Sequence, residues 1–323
     1  MVRRRPILVA PDKFKGTFSA VEVAEAIGEG IRVAGGETLL MPVADGGEGT
    51  ASVLVAALGG ELRRAPATDP LGREITAEYA LLADGETAVV EAAAASGLSL
   101  LDEAERDPWN ASTAGTGELI LAAAEAGAHT VIVGAGGSAT VDGGLGAVHI
   151  LSDAAHLPNL VVACDARTPW ERAAEVYGPQ KGADPGMVER LARRLDKLAA
   201  TGPRDPRGTE MTGCAGGLSG ALWAHFDAQL VPGAEYVLDA IGLDAVAAEA
   251  GSIVSGEGRL DAQTLEGKAV GAVAARARDL GVPCDAVVGE DRLTDVERER
   301  LGLRRVLVAG TLDELRAAGA ELA

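Results

Sequence analysis

Along this chain a short apolar run repeatedly gives way to a glycine-rich polar loop and then to a stretch with apolar residues three or four positions apart. Runs of that length suit buried strands and the second spacing suits amphipathic helices, so the pattern predicts α/β architecture. Residues 7–10 predict the first strand, Pro11-Asp-Lys-Phe-Lys-Gly16 a loop, and the segment after Ser19 a helix. Ser19 and Glu22 stand at capping-box spacing there, and Val23, Ile27 and Ile31 share one face. Residues 38–43 repeat the plan through Ala44-Asp-Gly-Gly-Glu-Gly49 into a helix carrying Val53, Leu54, Ala57 and Leu58, ended by Gly59 and Gly60. The plan returns at 130–133 with the loop Gly134-Ala-Gly-Gly-Ser-Ala-Thr140, at 160–163 with Cys164 and Asp165, and at 252–255 with Gly256-Glu-Gly-Arg259. A helix near 269–280 and strands near 286–288 and 306–309 follow.

Residues 61–91 break the rhythm. Two segments, 73–79 and 86–91, alternate apolar and polar positions between the turns Asp69-Pro70 and Asp84-Gly85, which predicts a partly antiparallel insertion. Residues 183–200 predict a charged amphipathic helix, and Thr201-Gly-Pro-Arg-Asp-Pro-Arg-Gly208 a polar loop or linker. The late parallel-type strands are placed to complete a sheet begun by residues 7–43. The expected fold is α/β with two domains: a discontinuous Rossmann-like parallel-sheet domain from residues 1–60 and 230–323, and an inserted second α/β domain from residues 61–229. The length of 323 residues agrees with two domains.

Composition narrows the functional classes. The 43 glycines are close to twice the usual share of about 7% and follow no short repeat, so many belong in loops that turn sharply or approach a ligand. The 29 basic and 48 acidic residues give a net charge of −19, which repels polyanions and excludes nucleic acid as an expected partner. Anionic substrates would have to be held by locally placed Lys, Arg and backbone N–H groups. Cys164, Cys214 and Cys284 are odd in number and lack zinc-site spacing, which predicts free thiols in a reducing compartment. The apolar run after the basic Met1-Val-Arg-Arg-Arg5 is too short for a signal peptide, and no stretch is long enough for a membrane span, so a cytoplasmic location without membrane contact is expected.

Candidate chemistry sits in the loops. In an open parallel sheet, ligands bind beyond the carboxyl ends of the strands. Lys13 and Lys15 follow the first predicted strand, where ammonium groups can hold a phosphate or a carboxylate. Asp45, before Gly46 and Gly47, can be a general base, a metal ligand or a helix cap. Gly256, Glu257, Gly258, Arg259 and Asp261 crowd another such loop. They set a guanidinium suited to phosphate beside carboxylates suited to Mg²⁺, or form an ordinary surface salt bridge. Gly134, Gly136, Gly137, Ser138 and Thr140 form the loop best suited to lie against phosphates. Ser112, Thr113, Gly115, Thr116 and Gly117 offer hydroxyls and N–H groups at a helix start, some of them for capping. No GxxxxGK[ST] sequence occurs, so an ATP site here is not a P-loop. Gly134 to Ala139 also satisfies the loose GxGxxA dinucleotide pattern, but Gly143 and Gly144 are poor helix residues and no acidic residue closes a second strand about 20 residues on. The four histidines, His129, His149, His156 and His225, are scattered without metal-ligand spacing.

Taken in order, seven segments resemble the bacterial glycerate kinase family of glyoxylate and glucarate breakdown. They are Ala10-Pro-Asp-Lys-Phe-Lys-Gly16, Pro42-Val-Ala-Asp-Gly-Gly-Glu-Gly-Thr50, Thr68-Asp-Pro-Leu-Gly72, Gly115-Thr-Gly-Glu-Leu119, Gly136-Gly-Ser-Ala-Thr140, Tyr177-Gly-Pro-Gln-Lys-Gly182 and Gly256-Glu-Gly-Arg-Leu-Asp261. The resemblance implies ATP-dependent, Mg²⁺-requiring phosphorylation of glycerate to a phosphoglycerate, with 2-phosphoglycerate favoured, by a monomer or homodimer. On that footing Asp45 would orient or deprotonate the hydroxyl, and Lys15 and Arg259 would neutralise charge. Lys13, Gly46, Gly47, Ser112, Thr116, Gly136, Gly137, Ser138, Thr140, Gly256 and Gly258 would bind substrate or phosphate, with Glu257 and Asp261 as metal ligands. The same loops would serve a kinase of another small hydroxy acid, or a binding protein that has lost turnover. Two departures from the family pattern stand out: the short link between Gly146 and Leu160, and a shortened C-terminal part without a final long helix.

Overall fold

The computed structural model describes residues 5–323. Of the basic N-terminal stretch read in the sequence, Met1 to Arg4 lie outside these described residues. The chain folds as two compact units. Met1–Asp45 and Ala234–Ala323 make the first and Gly46–Gly233 the second, so the division lies at 45/46 and 233/234, where the sequence placed it near 60 and 230.

Eleven strands are found among the described residues: β1 (Ile7–Pro11), β2 (Thr38–Leu40), β3 (Gly60–Thr68), β4 (Glu74–Leu82), β5 (Thr87–Glu91), β6 (Thr130–Gly134), β7 (Asn159–Cys164), β8 (Gln229–Pro232), β9 (Ser252–Glu257), β10 (Cys284–Val288) and β11 (Leu303–Val308). In the first unit they form a parallel sheet of order β11-β10-β9-β1-β2. Counted along this unit alone the order is 2-1-3-4-5, one of the doubly wound arrangements. β1 and β9 sit at its centre, and the chain leaves them toward opposite edges of the sheet. Their register pairs Pro11 with Gly256, so their following loops begin side by side.

Both faces of this sheet are covered. Helix Ala20–Val33 lays Val23, Ile27 and Ile31 on one face, with Val9, Val254 and Leu315 in the same cluster. Its predicted capping box is present: the Glu22 N–H donates to Ser19 Oγ at 3.2 Å and the Ser19 N–H donates to Glu22 Oε2 at 2.8 Å. The chain ends in a helix, Leu312–Leu322, which the sequence reading did not place and which packs on Ala20–Val33. On the other face Val270, from helix Ala269–Asp279, and Leu301, from helix Asp295–Leu301, bury against Ala286 and Val288. Burying such a side chain stabilises by roughly 1.5–3 kcal/mol, which is why the strands are continuous apolar runs.

The second unit carries a sheet of order β3-β4-β5-β6-β7-β8, antiparallel from β3 to β5 and parallel from β5 to β8. The antiparallel hairpin is the insertion read from the alternating residues. Helix Thr50–Leu58 belongs to this unit and packs on β4. The turn after β3 is closed by Asp69, whose carboxylate accepts from the Leu71 and Arg73 N–H groups and from the Arg73 side chain.

Candidate active site

The candidate loops fall into two groups, each at the carboxyl edge of the parallel strands of its own unit. In the first unit the loop after β1 and the loop after β9 touch. The Asp12 N–H donates to the Gly256 carbonyl at 2.8 Å, and a Cβ added to Gly258 would stand 3.1 Å from the Lys15 nitrogen. A third loop, after β10, joins them: the Leu260 N–H donates to the Glu290 carbonyl and the Arg292 N–H to the Leu260 carbonyl. The Val43 N–H donates to the Pro11 carbonyl at 2.9 Å, which brings the β2 exit, and so Asp45, to the same edge.

This edge is crowded with carboxylates. Asp12 is buried, and burial, followed by the charge of Asp45, holds its carboxyl well above the usual range against the opposing pull of Lys13; Glu257 adds to the rise. Glu257, which ends β9, is pushed up to about 7, first by burial and then by Asp45 and Asp261, while the Thr264 hydroxyl and Lys268 work the other way. The Thr264 Oγ1 donates to Glu257 Oε1 at 2.6 Å. Like charges that raise one another's pKa are relieved by a cation. Among the described residues no group of three or more His, Cys, Asp or Glu forms a ready-made metal cage. Mg²⁺ needs none, since it is usually held by one or two carboxylates with waters and substrate phosphates, so the donor set fits that ion.

The basic residues of this edge differ from one another in setting. Lys15 is exposed and Lys13 half-buried. Arg259 is exposed, and its Nε donates to Glu290 Oε2 at 2.8 Å, in a carboxylate also taken by Arg292. The surface salt bridge that the sequence left open for Arg259 is therefore formed.

In the second unit, Gly46 and Gly47 lie against the loop that follows β6. A Cβ on Gly136 would stand 2.6 Å from Gly47 Cα and 3.2 Å from Asp165 Oδ2, so only glycine admits this approach. Glu91, at the end of β5, anchors the same segment by accepting from the Gly49 and Ala51 N–H groups at 2.9 and 2.8 Å. The loop then runs through Gly137 and Ser138 to the buried Thr140. Lys181 reaches it from the turn Pro179–Lys181: its Nζ donates to Ser138 Oγ at 2.8 Å and to the Thr140 carbonyl at 2.7 Å.

Ser112 and Thr116 are held by internal partners. Ser112 Oγ accepts from the Ala114 N–H, and Thr116, fully buried, shares a 2.7 Å hydrogen bond with the Ser96 hydroxyl. Ser96 links Thr116 to the glycine loop, since its carbonyl accepts from the Ala139 N–H. Thr113 donates through both its N–H and its hydroxyl to Asp142.

Sequence reasoning passed over Asp12, Lys181 and Lys268. Asp12 stands between Pro11 and Lys13 in a loop already singled out, so its position was a usable signal. Lys181 lay in the segment Tyr177 to Gly182, but nothing local marks its burial. The comparisons with known proteins agree with the resemblance. A model of the glycerate kinase family matches residues 7–157 and 151–315, two stretches that meet in the short connection before β7. A glycerate kinase of Bacillus subtilis is 38% identical, covering 88% of this chain and 84% of its own length. A glycerate 2-kinase of Escherichia coli is also 38% identical, covering 90% and 86%. The crystal structure of a candidate glycerate kinase 2 from Salmonella typhimurium LT2 superposes with a TM-score of 0.82 at 35% identity, over 98% of this chain and 97% of that one.

Proposed function

Because the chain belongs to the glycerate kinase family, we propose that it transfers the γ-phosphoryl group of ATP to a hydroxyl of glycerate and releases 2-phosphoglycerate. The observation that carries this reading is the set of carboxylates and lysines at the central strands of the doubly wound sheet, where β1 and β9 part company. Phosphoryl transfer asks a protein mainly to position reactants and to neutralise charge.

Asp45 is the residue proposed to orient the hydroxyl of glycerate or take its proton. Glu257 and Asp261, with Asp12 beside them, are the carboxylates that would hold Mg²⁺. The ion would supply charge neutralisation at the phosphoryl oxygens. Lys13 and Lys15 counter the remaining negative charge from the loop after β1. Arg259 can do so only by leaving Glu290, an exchange between exposed groups that costs little. Gly46, Gly47, Gly136, Gly137 and Ser138 present backbone and hydroxyl donors for an anion. The three cysteines are free and buried; a reducing, cytoplasmic setting is part of the proposed reading. Among the described residues no helix is long and apolar enough to cross a membrane.

The test mixes the protein with MgATP and D-glycerate, follows ADP, and assigns the product by phosphorus NMR. ADP release that does not depend on glycerate refutes the reading. A 3-phosphate product refutes the regiochemistry alone, and release with another small hydroxy acid instead of glycerate moves the substrate assignment to that acid.

A further inference from the structure

The second unit holds a cation that the scheme above leaves without a task. Lys181 is only 2% exposed, yet both of its hydrogen bonds go to uncharged oxygens, Ser138 Oγ and the Thr140 carbonyl. An ammonium has three N–H donors, so one remains. Burial pulls its pKa down to about 7, while Asp165 and Asp142 favour the charged form without restoring the ordinary value.

The loop that Lys181 supports has an unfinished feature of its own. Gly137 takes a φ of 78°, and its carbonyl accepts from Leu98 at 2.9 Å, while Ala139 donates to Ser96 at 2.8 Å. Among the described residues, the N–H groups of Gly137 and Ser138 make no hydrogen bond of ordinary geometry to a protein acceptor; residues 136–137 form a turn, Gly137 is half-buried and Ser138 is 4% exposed. A buried backbone donor such as the Ser138 N–H is rarely left so weakly bonded. Successive N–H groups around a left-handed glycine form the kind of concave nest that holds anions.

We propose that Gly137, Ser138 and Lys181 form an oxyanion subsite, in which the two N–H groups give direction and Lys181 is the positioning cation beneath them. Ser138 links the parts. Its oxygen accepts from Lys181, which leaves its own O–H to donate to the incoming anion. The ligand class is a small oxyanion, the carboxylate of the acceptor or a phosphoryl group of the nucleotide, and this choice of ligands rests on the kinase reading above.

The arrangement couples binding to protonation. Near neutral pH part of the Lys181 population is uncharged, and an anion in the nest draws its pKa back up, so binding takes up a proton. The other groups facing Lys181 are Asp165, Asp142, Cys214 and the Tyr177 ring, whose centroid lies 5.5 Å from Nζ. They are present in the free and the bound protein alike.

Isothermal titration at pH ~8 in two buffers of different ionisation enthalpy tests this, with D-glycerate in one arm and Mg²⁺ with a non-hydrolysable ATP analogue in the other. The wild-type protein is expected to take up close to about one proton in one arm, and that arm identifies the anion. In Lys181→Met the uptake disappears and affinity for that ligand falls about 10- to 100-fold. Lys181→Gln, which keeps uncharged donors for Ser138 and Thr140, is expected to melt like the wild type and to bind as poorly as Lys181→Met. Uptake absent from both wild-type arms overturns the proposal, as does full affinity in either variant. Lys181-dependent uptake in a protein that releases no ADP from MgATP and D-glycerate refutes the kinase reading and leaves the subsite standing.

Discussion

Replacing Glu257 by Gln separates the electrostatic cost of the carboxylate edge from its packing. The folded carboxyl is pushed up to about 7 from the ordinary 4.5, which an unfolded glutamate keeps. Between these values the folded chain keeps a proton that the unfolded chain has released, so stability falls as pH rises through that window. A displacement of about 2.5 units at ~1.36 kcal/mol per unit amounts to about 3 kcal/mol once both forms are ionised. Glu257 is 7% exposed, so little of this is lost to solvent screening. Glutamine cannot ionise and still offers an oxygen to the Thr264 hydroxyl, which donates to Glu257 at 2.6 Å. Urea unfolding without Mg²⁺ is therefore expected to find Glu257→Gln more stable than the wild type by about 3 kcal/mol at pH ~8 and by only about 1 kcal/mol at pH ~5. Asp12, raised for similar reasons, is present in both proteins and largely drops out of the difference. An advantage of equal size at both pH values, or a loss at pH ~8, would refute the reasoning.

Three further outcomes are expected. Asp45→Asn should lower turnover by at least about 100-fold with an unchanged melting temperature; activity within a few fold of the wild type removes Asp45 as the base. Gly136→Ala places a Cβ 2.6 Å from Gly47 Cα, and thermal unfolding should show a loss of about 1–3 kcal/mol. Burial raises the pKa of Asp285, but hydrogen bonds and charge from Arg304 and Arg305 outweigh it and hold the carboxyl below the ordinary range. That stability is present above the unfolded pKa and lost as pH falls through the folded one. Asp285→Asn should cost about 1–3 kcal/mol at neutral pH, and urea unfolding should show the deficit shrinking below pH ~4.

The strands read at 7–10, 130–133, 160–163, 252–255 and 286–288 fall within β1, β6, β7, β9 and β10, because strands buried on both faces must be continuous apolar runs. The strands that went unnamed, β3 and β8, have no such run. β3 reads Gly-Glu-Leu-Arg-Arg-Ala-Pro-Ala-Thr, and its place is set by nine register pairs with β4 rather than by its own residues. Which loops share a sheet edge was equally out of reach, since that depends on pairings between distant strands. Segments that carried the resemblance also mix chemistry with packing. In Gly115-Thr-Gly-Glu-Leu119 the Glu118 carboxylate accepts from the Thr68 N–H and hydroxyl, and a Cβ on Gly115 would stand 1.9 Å from the Thr68 carbonyl. In that segment Glu118 and Gly115 hold two elements together. Lys181 shows the converse, a buried cation whose hydrogen-bond partners, Ser138 and Thr140, come from tertiary structure.

The central pair of the first sheet joins residues far apart in the order of synthesis: the Ser255 hydroxyl donates to the Ala10 carbonyl across 245 positions. On a ribosome adding about 5–20 residues per second, β1 waits roughly 10–50 s for that neighbour to be translated. The second unit, complete by Gly233, can fold in the meantime. Until then β1 has β2 alone as a sheet neighbour, so the edge that β9 will cover stays open on the nascent chain, and chaperone demand for this protein should be concentrated on that strand pair.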